Sequence, residues 1–249
     1  MTDDALWMPL RAELSRWADA GRSVSLWLRD DDAVEPTPAL ARLAEITRQS
    51  SVPLTLAVIP APTGDALASF LEAEGHVSVA VHGWTHTNHA DAHSKKQELG
   101  LDRPESVVLD ELRQGFDKLR ALYPRRFVPM LVPPWNRIAA PLIPPLADIG
   151  YRALSVFGLA KADSPIPLVN THVDVMDWHG TRGGRPHAEL VRALVAELAK
   201  RFERDGEPVG ILTHHLVHDE TAWTFIEQLL RETAGHPAVR WRAVTDLIG

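Results

Sequence analysis

Short runs of β-branched and apolar residues alternate with helical patterns along the whole 249-residue chain, and this alternation dictates a layered α/β fold. The runs fall near Val24–Leu28, Pro53–Ile59, Val77–Val81, Phe127–Val132, Arg152–Val156, His172–Val175 and Val209–Thr213, with a last one near Val239–Trp241. Between them lie helices with their own start and stop signals. A leading helix within residues 1–20 carries Leu6, Leu10, Leu14 and Trp17. Thr37-Pro38 is an N-cap followed by proline at the first helical position. A further helix over Ala66–Glu74 stops at Gly75, and another opens at Pro104 and ends before Pro124. Leu190, Val191, Leu194, Val195, Leu198 and Phe202 form one 3.6-period stripe, and Asp219 caps a helix through Trp223, Ile226 and Leu230. Strand–helix units of this kind put parallel strands in one sheet. The expectation is a single domain over 1–249, with the polar stretch 87–103 and the Pro-rich stretch 157–167 as loops, the first long enough for a lid.

The polar residues are not scattered on this map. Asp30-Asp31-Asp32 follows the first strand, His82-Gly83-Trp84-Thr85-His86 the third and Pro133-Pro134-Trp135-Asn136 the fourth. Asp177-Trp178 follows the sixth, and His214-His215 ends the seventh. All five clusters lie at carboxyl ends of strands, which converge on one face of a parallel barrel, the face where barrel enzymes keep their active sites.

Each cluster alone admits two readings. Three adjacent aspartates repel one another and invite a cation, or they are solvated turn and helix-capping acids before Pro36. His82 and His86, four apart, would share one face of a helical turn and suit a single zinc-like ion, yet such pairs also occur on solvated helices. His89 and His93 read as solvent-facing, with His89 as a substitute ligand. Trp135 either floors a sugar cleft or belongs to the core. Successive strand residues point opposite ways, so only one of His214 and His215 faces the mouth.

Composition narrows the chemistry. With no cysteine among 249 residues and 12 histidines, a metal must be held by imidazole and carboxylate. The net charge of -7 and the absence of any basic run beyond Lys95-Lys96 and Arg125-Arg126 argue against nucleic acid as partner. Acids stand near the N-terminus where a leader needs basic residues, and no uncharged run reaches the ~18–20 residues that span a bilayer. The reading is a cytoplasmic protein without a membrane partner.

As an ordered set, Asp30-Asp31 with Thr37-Pro38, Gly75-His76 leading to His82 and His86, Pro133-Pro134-Trp135, Asp177-Trp178 and Ile211-Leu212-x-His214 resemble the five motifs of polysaccharide deacetylases. These are the carbohydrate esterase family 4 or NodB-homology proteins. The resemblance implies a deformed (β/α)7-8 TIM-like barrel and metal-dependent removal of acetyl from N-acetylated sugars. It implies Asp30 as general base, and Asp31, His82 and His86 as ligands of one divalent ion, zinc first and cobalt, nickel or manganese as alternatives. It further implies His214 as general acid oriented by Asp177, and Trp135, Trp178 and Pro134 as substrate-binding walls. The spacing from Asp31 to Thr37-Pro38 favours Asp30/Asp31 over Asp31/Asp32.

The set also departs from the family pattern. Val132 stands where an arginine usually pairs with the base, Gly83 where serine or threonine usually follows the first histidine, and Arg29 where an aromatic is usual. Arg29 or Arg137 is the expected replacement for the missing arginine. The leading functional expectation is hydrolysis of a non-peptide C–N bond in a carbohydrate or small acetamido compound. The alternatives are a carbohydrate-binding protein on a decayed deacetylase scaffold and a hydrolase of cyclic amides or ureides.

Overall fold

A computed structural model describes residues 3–161, 163–204 and 206–248. Met1 and Thr2 of the expected leading helix, Ala162 of the Pro-rich loop and the terminal Gly249 lie outside the described residues. The chain runs α1 (Asp3–Asp19), β1 (Val24–Ala33), α2 (Pro38–Gln49), β2 (Leu54–Val58), α3 (Asp65–Leu71), β3 (Val77–His82), α4 (Glu105–Leu122) and β4 (Phe127–Val132). It continues α5 (Leu146–Ile149), β5 (Ala153–Leu154), β6 (Val173–Asp174), α6 (His187–Glu203), β7 (Val209–Thr213), α7 (Glu220–Thr233) and β8 (Val239–Trp241). The strands pair in parallel in the order β5-β4-β3-β2-β1-β7-β6, with β8 on β1. This is a single-domain α/β fold, a curled, incompletely closed barrel.

Every expected strand forms, with differences at the ends. β1 continues through the three aspartates to Ala33, and β5 and β6 shrink to two residues each. The segment 168–171 lies along the β5 edge, bridging Leu154 to Leu168 and Phe157 to Thr171, and fills part of the gap between β5 and β6. Local chemistry explains the helix starts. Thr37 Oγ1 accepts the Leu40 N–H with Pro38 opening α2, and Asp219 accepts the Ala222 N–H at the start of α7. The four-residue α5 has too few residues for a periodic signal and was not expected; it ends at Gly150, whose φ of 117° is a left-handed cap.

Side-chain alternation splits the core into two layers. Leu26 and Leu28 of β1, Leu54, Leu56 and Val58 of β2 and Val77, Val79 and Val81 of β3 face the helices. Trp27, Ala57, Ala80, Val128, Met130, Val132 and Ala153 face the barrel interior. The inner layer leaves the positions one step further along, Arg29, Asp31 and His82, pointing into the mouth.

The interior tolerates no added volume at Gly210 on β7. A Cβ there would stand 2.5 Å from both the Asn170 carbonyl oxygen and Trp27 Nε1, a nitrogen that itself donates to that carbonyl. Gly210→Ala is expected to cost about 1–3 kcal/mol through overpacking. Its urea midpoint should fall with an unchanged slope, whereas Gly75→Ala, with open space around the new methyl, should stay within about 0.5 kcal/mol of the parent.

Candidate active site

The first strand carries Asp30, Asp31 and Asp32 in succession, and the backbone sends them three ways. Asp30 pairs in register with Leu56 of β2, but the next paired residue is Ala33, so the strand bulges at Asp31-Asp32. Asp32 takes a φ of 72°, a conformation that aspartate tolerates better than most residues. Asp30 therefore faces the helix layer, Asp31 the barrel interior, and Asp32 is turned out of the pleat towards the mouth.

At the mouth Asp32 meets two imidazoles. Its Oδ1 lies 3.1 Å from His82 Nε2 and 3.3 Å from His86 Nε2. One ligand atom from each of the three residues lies within 4.8 Å of the others, and among the described residues no other group of three forms such a cluster. His82 Nδ1 contacts the Val132 carbonyl at 2.9 Å, and because a carbonyl can only accept, Nδ1 carries the proton. A neutral His82 then aims a lone pair at a carboxylate oxygen. Two acceptors face each other at 3.1 Å, an arrangement that calls for a proton or a cation between them. The donor set of one carboxylate and two imidazoles, with the Val132 carbonyl fixing one tautomer from behind, fits a zinc-class ion.

The electrostatics agree. Burial alone would lift the Asp32 carboxyl, but the His82 hydrogen bond and the surrounding imidazoles His82, His214 and His86 hold it well below the carboxylate range. Burial pulls His82 down, and Asp31 and Asp32 outweigh that pull and raise it. Burial and the neighbouring His82 lower His86.

The expected helical turn at His82–His86 does not form. His82 ends β3, and the chain then turns through Gly83 at φ 59° to His86 at φ 61°. Left-handed backbone, rather than a helix face, brings the two imidazoles together, with ring centroids 5.0 Å apart.

Inside the mouth Arg29 and Asp31 are both buried. Arg29 Nη2 donates to Asp31 Oδ2 at 3.0 Å, and Nε lies 2.9 Å from Oδ1 in the same ion pair without the alignment of a second hydrogen bond. The same guanidinium donates to Ser155 Oγ at 2.7 Å and Asn136 Oδ1 at 2.8 Å. Asn136 reaches it from a tight turn in which Trp135 and Asn136 have φ of 54° and 57°. The expectation from sequence is a replacement arginine on Asp30; the Arg29 guanidinium instead meets Asp31, while Asp30 is taken by Thr213 and His215. Arg137 is directed elsewhere, donating to the Lys96 carbonyl.

Across the mouth, His214 Nε2 stands 3.9 Å from Asp31 Oδ2. Trp178 meets the His214 ring edge-on at 4.7 Å, and Trp135 lies 4.4 Å from the His86 ring. Both tryptophans thus flank the site. Behind His214 is Asp174, whose Oδ2 accepts the Trp178 indole N–H at 2.8 Å and whose Oδ1 accepts the Met176 N–H. Burial raises the Asp174 carboxyl against the opposing pull of His214.

Four sequence expectations are placed differently. Asp30 is not in the mouth. It is fully buried on the helix side, in a short hydrogen bond with His215 Nδ1 and accepting from Thr213 Oγ1 and the His215 N–H. Asp31 is not grouped with His82 and His86, because the bulge gives that position to Asp32. Asp177 is exposed and caps its own turn through the Gly180 and Thr181 N–H groups, while Asp174, four residues before Trp178, faces His214. Pro134 is buried, and its ring backs Gly83 rather than lining a cleft. Of the two adjacent histidines, His214 faces the mouth and His215 the helix layer, as alternation requires. His218, pushed down to about 4 chiefly by burial, accepts the His214 N–H at 3.1 Å.

No protein-family model and no curated protein matches the sequence. Solved structures match it in fold. A Mycobacterium smegmatis protein described as a polysaccharide deacetylase superposes with a TM-score of 0.68 at 16% identity, covering 92% of this chain and 90% of that one. A family 4 carbohydrate esterase from Streptomyces lividans in complex with acetate gives a TM-score of 0.56 at 16% identity, covering 87% and 90%. A family 4 acetyl xylan esterase from Clostridium thermocellum, in complex with a cobalt ion, gives 0.53 at 15% identity, covering 90% and 89%. The fold is that of polysaccharide deacetylases, in a divergent sequence.

The Asp30–His215 pair sets a pH window. Burial opposes both charges, but His215 holds Asp30 below its ordinary 3.8 and Asp30 holds His215 above its ordinary 6.5. The Asp30 contribution is present above the unfolded carboxylate value and lost as pH falls through the lowered one. The His215 contribution is present below the unfolded imidazole value and lost as pH rises through the raised one. Asp30→Ala should cost about 3–5 kcal/mol by leaving His215 buried without its partner. Urea melts across pH in chelator should show the largest difference from the parent between the two ordinary values, shrinking on either side.

Proposed function

We propose that this chain is a metal-dependent deacetylase that hydrolyses the C–N bond of an N-acetylated sugar or small acetamido compound. The observation that carries the proposal is the meeting, on the fold of polysaccharide deacetylases, of a ligand-competent Asp32, His82 and His86 with a second, arginine-held carboxylate and a facing histidine. Asp32, His82 and His86 would hold one divalent ion, zinc first, with cobalt, nickel and manganese suited to the same donors. When bound, the ion supplies Lewis acidity towards the amide carbonyl and the attacking water.

The remaining chemistry falls to this chain's own side chains. Asp31 takes the proton from the attacking water, and the Arg29 guanidinium, hydrogen-bonded to Oδ2 and in ion-pair contact with Oδ1, holds the carboxylate in place. His214 gives a proton to the departing nitrogen, which is too basic to leave as an anion. The 3.9 Å between His214 Nε2 and Asp31 Oδ2 lets both reach one tetrahedral centre. One proton is taken and one given, the C–N bond breaks, the water oxygen bonds to the carbonyl carbon, and a free amine and acetic acid result, the acid releasing its remaining proton to solvent as acetate. Asp174 places a carboxylate near His214, and its own position is fixed by the Trp178 indole and the Met176 amide. Trp135 and Trp178 provide flat apolar faces on either side for a sugar ring.

The assignment separates two neighbouring carboxylates by experiment. Asp32→Ala should abolish both stoichiometric zinc binding and acetate release from acetylated amino sugars. Asp31→Asn should keep the metal and lose about 10²–10⁴-fold in kcat. Equal metal binding by Asp32→Ala and the parent would reject the proposal. Because His82 is raised in the metal-free protein, zinc competes with a proton there. Apparent affinity should therefore climb with pH until His82 is deprotonated, with proton release measurable by calorimetry in buffers of different ionisation enthalpy.

A further inference from the structure

Glu98 lies in the polar stretch between β3 and α4, is 1% exposed, and takes no part in the chemistry just described. A carboxylate so buried must be compensated, and here the compensation is backbone. Glu98 Oε1 accepts the Thr85 N–H at 2.7 Å, the His86 N–H at 3.0 Å and Thr85 Oγ1 at 2.9 Å, and Oε2 accepts the Trp84 N–H at 3.2 Å. Three consecutive amides between His82 and His86 therefore converge on one side chain.

The departure at Gly83 belongs to the same arrangement. A Cβ at Gly83 would stand 2.0 Å from Glu98 Oε2 and 2.7 Å from Pro134 Cγ, and the residue's φ of 59° already disfavours a side chain. The carboxylate occupies the space that any other residue after His82 would fill. Glu98 is itself anchored. Leu99 bridges to Ile138 and its carbonyl accepts the Ala139 N–H at 2.8 Å, while Arg103, paired with Glu111 of α4, lies against the Glu98 carbonyl. The base of the stretch read as a lid is thus fixed to the barrel.

We propose that Glu98 is a positioning residue, an internal clamp that holds the 84–86 backbone so that the His86 imidazole is set against Asp32 and His82 before a metal arrives. The His82–His86 turn has no helical hydrogen bonds to fix it and passes through two left-handed residues, so without the carboxylate its three amides lose their common acceptor. This inference rests on the reading of Asp32, His82 and His86 as metal holders, but the clamp can be scored without metal.

The experiment compares the parent with Glu98→Gln, Glu98→Ala and a control, His93→Ala, on the exposed tip of the same stretch. Amide hydrogen exchange in chelator scores the clamp, and Co²⁺ titration with the visible spectrum of the saturated site scores the ligand geometry. Glu98→Gln keeps the volume but replaces one acceptor oxygen by a donor, so it decides the matter if Glu98→Ala fails to fold. The expected result is faster exchange confined to 84–86, about 10–100-fold weaker Co²⁺ binding, and an altered spectrum at saturation that a general loss of stability would not produce. His93→Ala should match the parent throughout. Unchanged exchange at 84–86 overturns the clamp. Faster exchange with parental affinity and spectrum overturns its role in setting His86. A parent that binds no Co²⁺ rejects the metal reading instead, and the exchange data still decide whether Glu98 holds the turn.

Discussion

One strand buries or half-buries three consecutive carboxylates, and it can do so only because its pleat breaks at Asp32. An ionised carboxylate taken from water without a partner is too costly to keep its charge. In a regular strand Asp30 and Asp32 would share a face and Asp31 would take the other, putting two like charges side by side. The bulge and the φ of 72° at Asp32 remove that conflict. Each acid then meets a different kind of compensation: an imidazole in the helix layer for Asp30, a guanidinium in the barrel for Asp31, and two histidines at the mouth for Asp32.

The same logic explains why Val132 is compatible with the site. At this level of the barrel interior β1 supplies a buried guanidinium. Arg29 spends its donors on Asp31, Ser155 and Asn136, tying together β1, the end of β5 and the turn after β4. With that cation on β1, the inward position of β4 is free to be apolar, and Val132 joins Met130 and Ala153 in the inner layer while its carbonyl sets the His82 tautomer. The cation stands on β1, where it pairs with a carboxylate of the same strand.

Much of this was legible in the chain. Strand positions and the capped starts of α2 and α7 follow from local signals, and period-2 alternation separates His214 from His215. Applied to β1, the same alternation places Trp27, Arg29 and Asp31 on one face and Asp30 on the other. What alternation cannot show is the bulge, since nothing in Asp-Asp-Asp says which residue leaves the pleat, and so the carboxylate that meets His82 and His86 falls one position later than the motif spacing suggests. Asp174 and Glu98 were missed for a different reason. Each acts from a distance in sequence, Asp174 through Trp178 and His214 and Glu98 through a turn 12 to 14 residues earlier, and a single acidic residue, whether at a strand end or in a polar stretch, carries no periodic signal.

Counting charges around the mouth then says what sort of cation the site favours. Asp31 is matched by Arg29, and Asp30 by His215 on the far side of the strand. Glu98 is held by amides. Asp32 is the acid that meets the His82 and His86 imidazoles, it has no arginine or lysine partner among the described residues, and the two imidazoles that complete its group carry no charge as ligands. One formal negative charge facing a divalent ion leaves a net positive centre, where a site built from three carboxylates would leave a negative one. A positive centre in a partly desolvated pocket stabilises an oxygen that gains charge as an amide carbonyl is attacked. The guanidinium on Asp31 and the turn amides on Glu98 therefore do more than satisfy buried acids: they engage two carboxylates close to the histidines and, on the proposed reading, leave Asp32 as the acid that faces the cation.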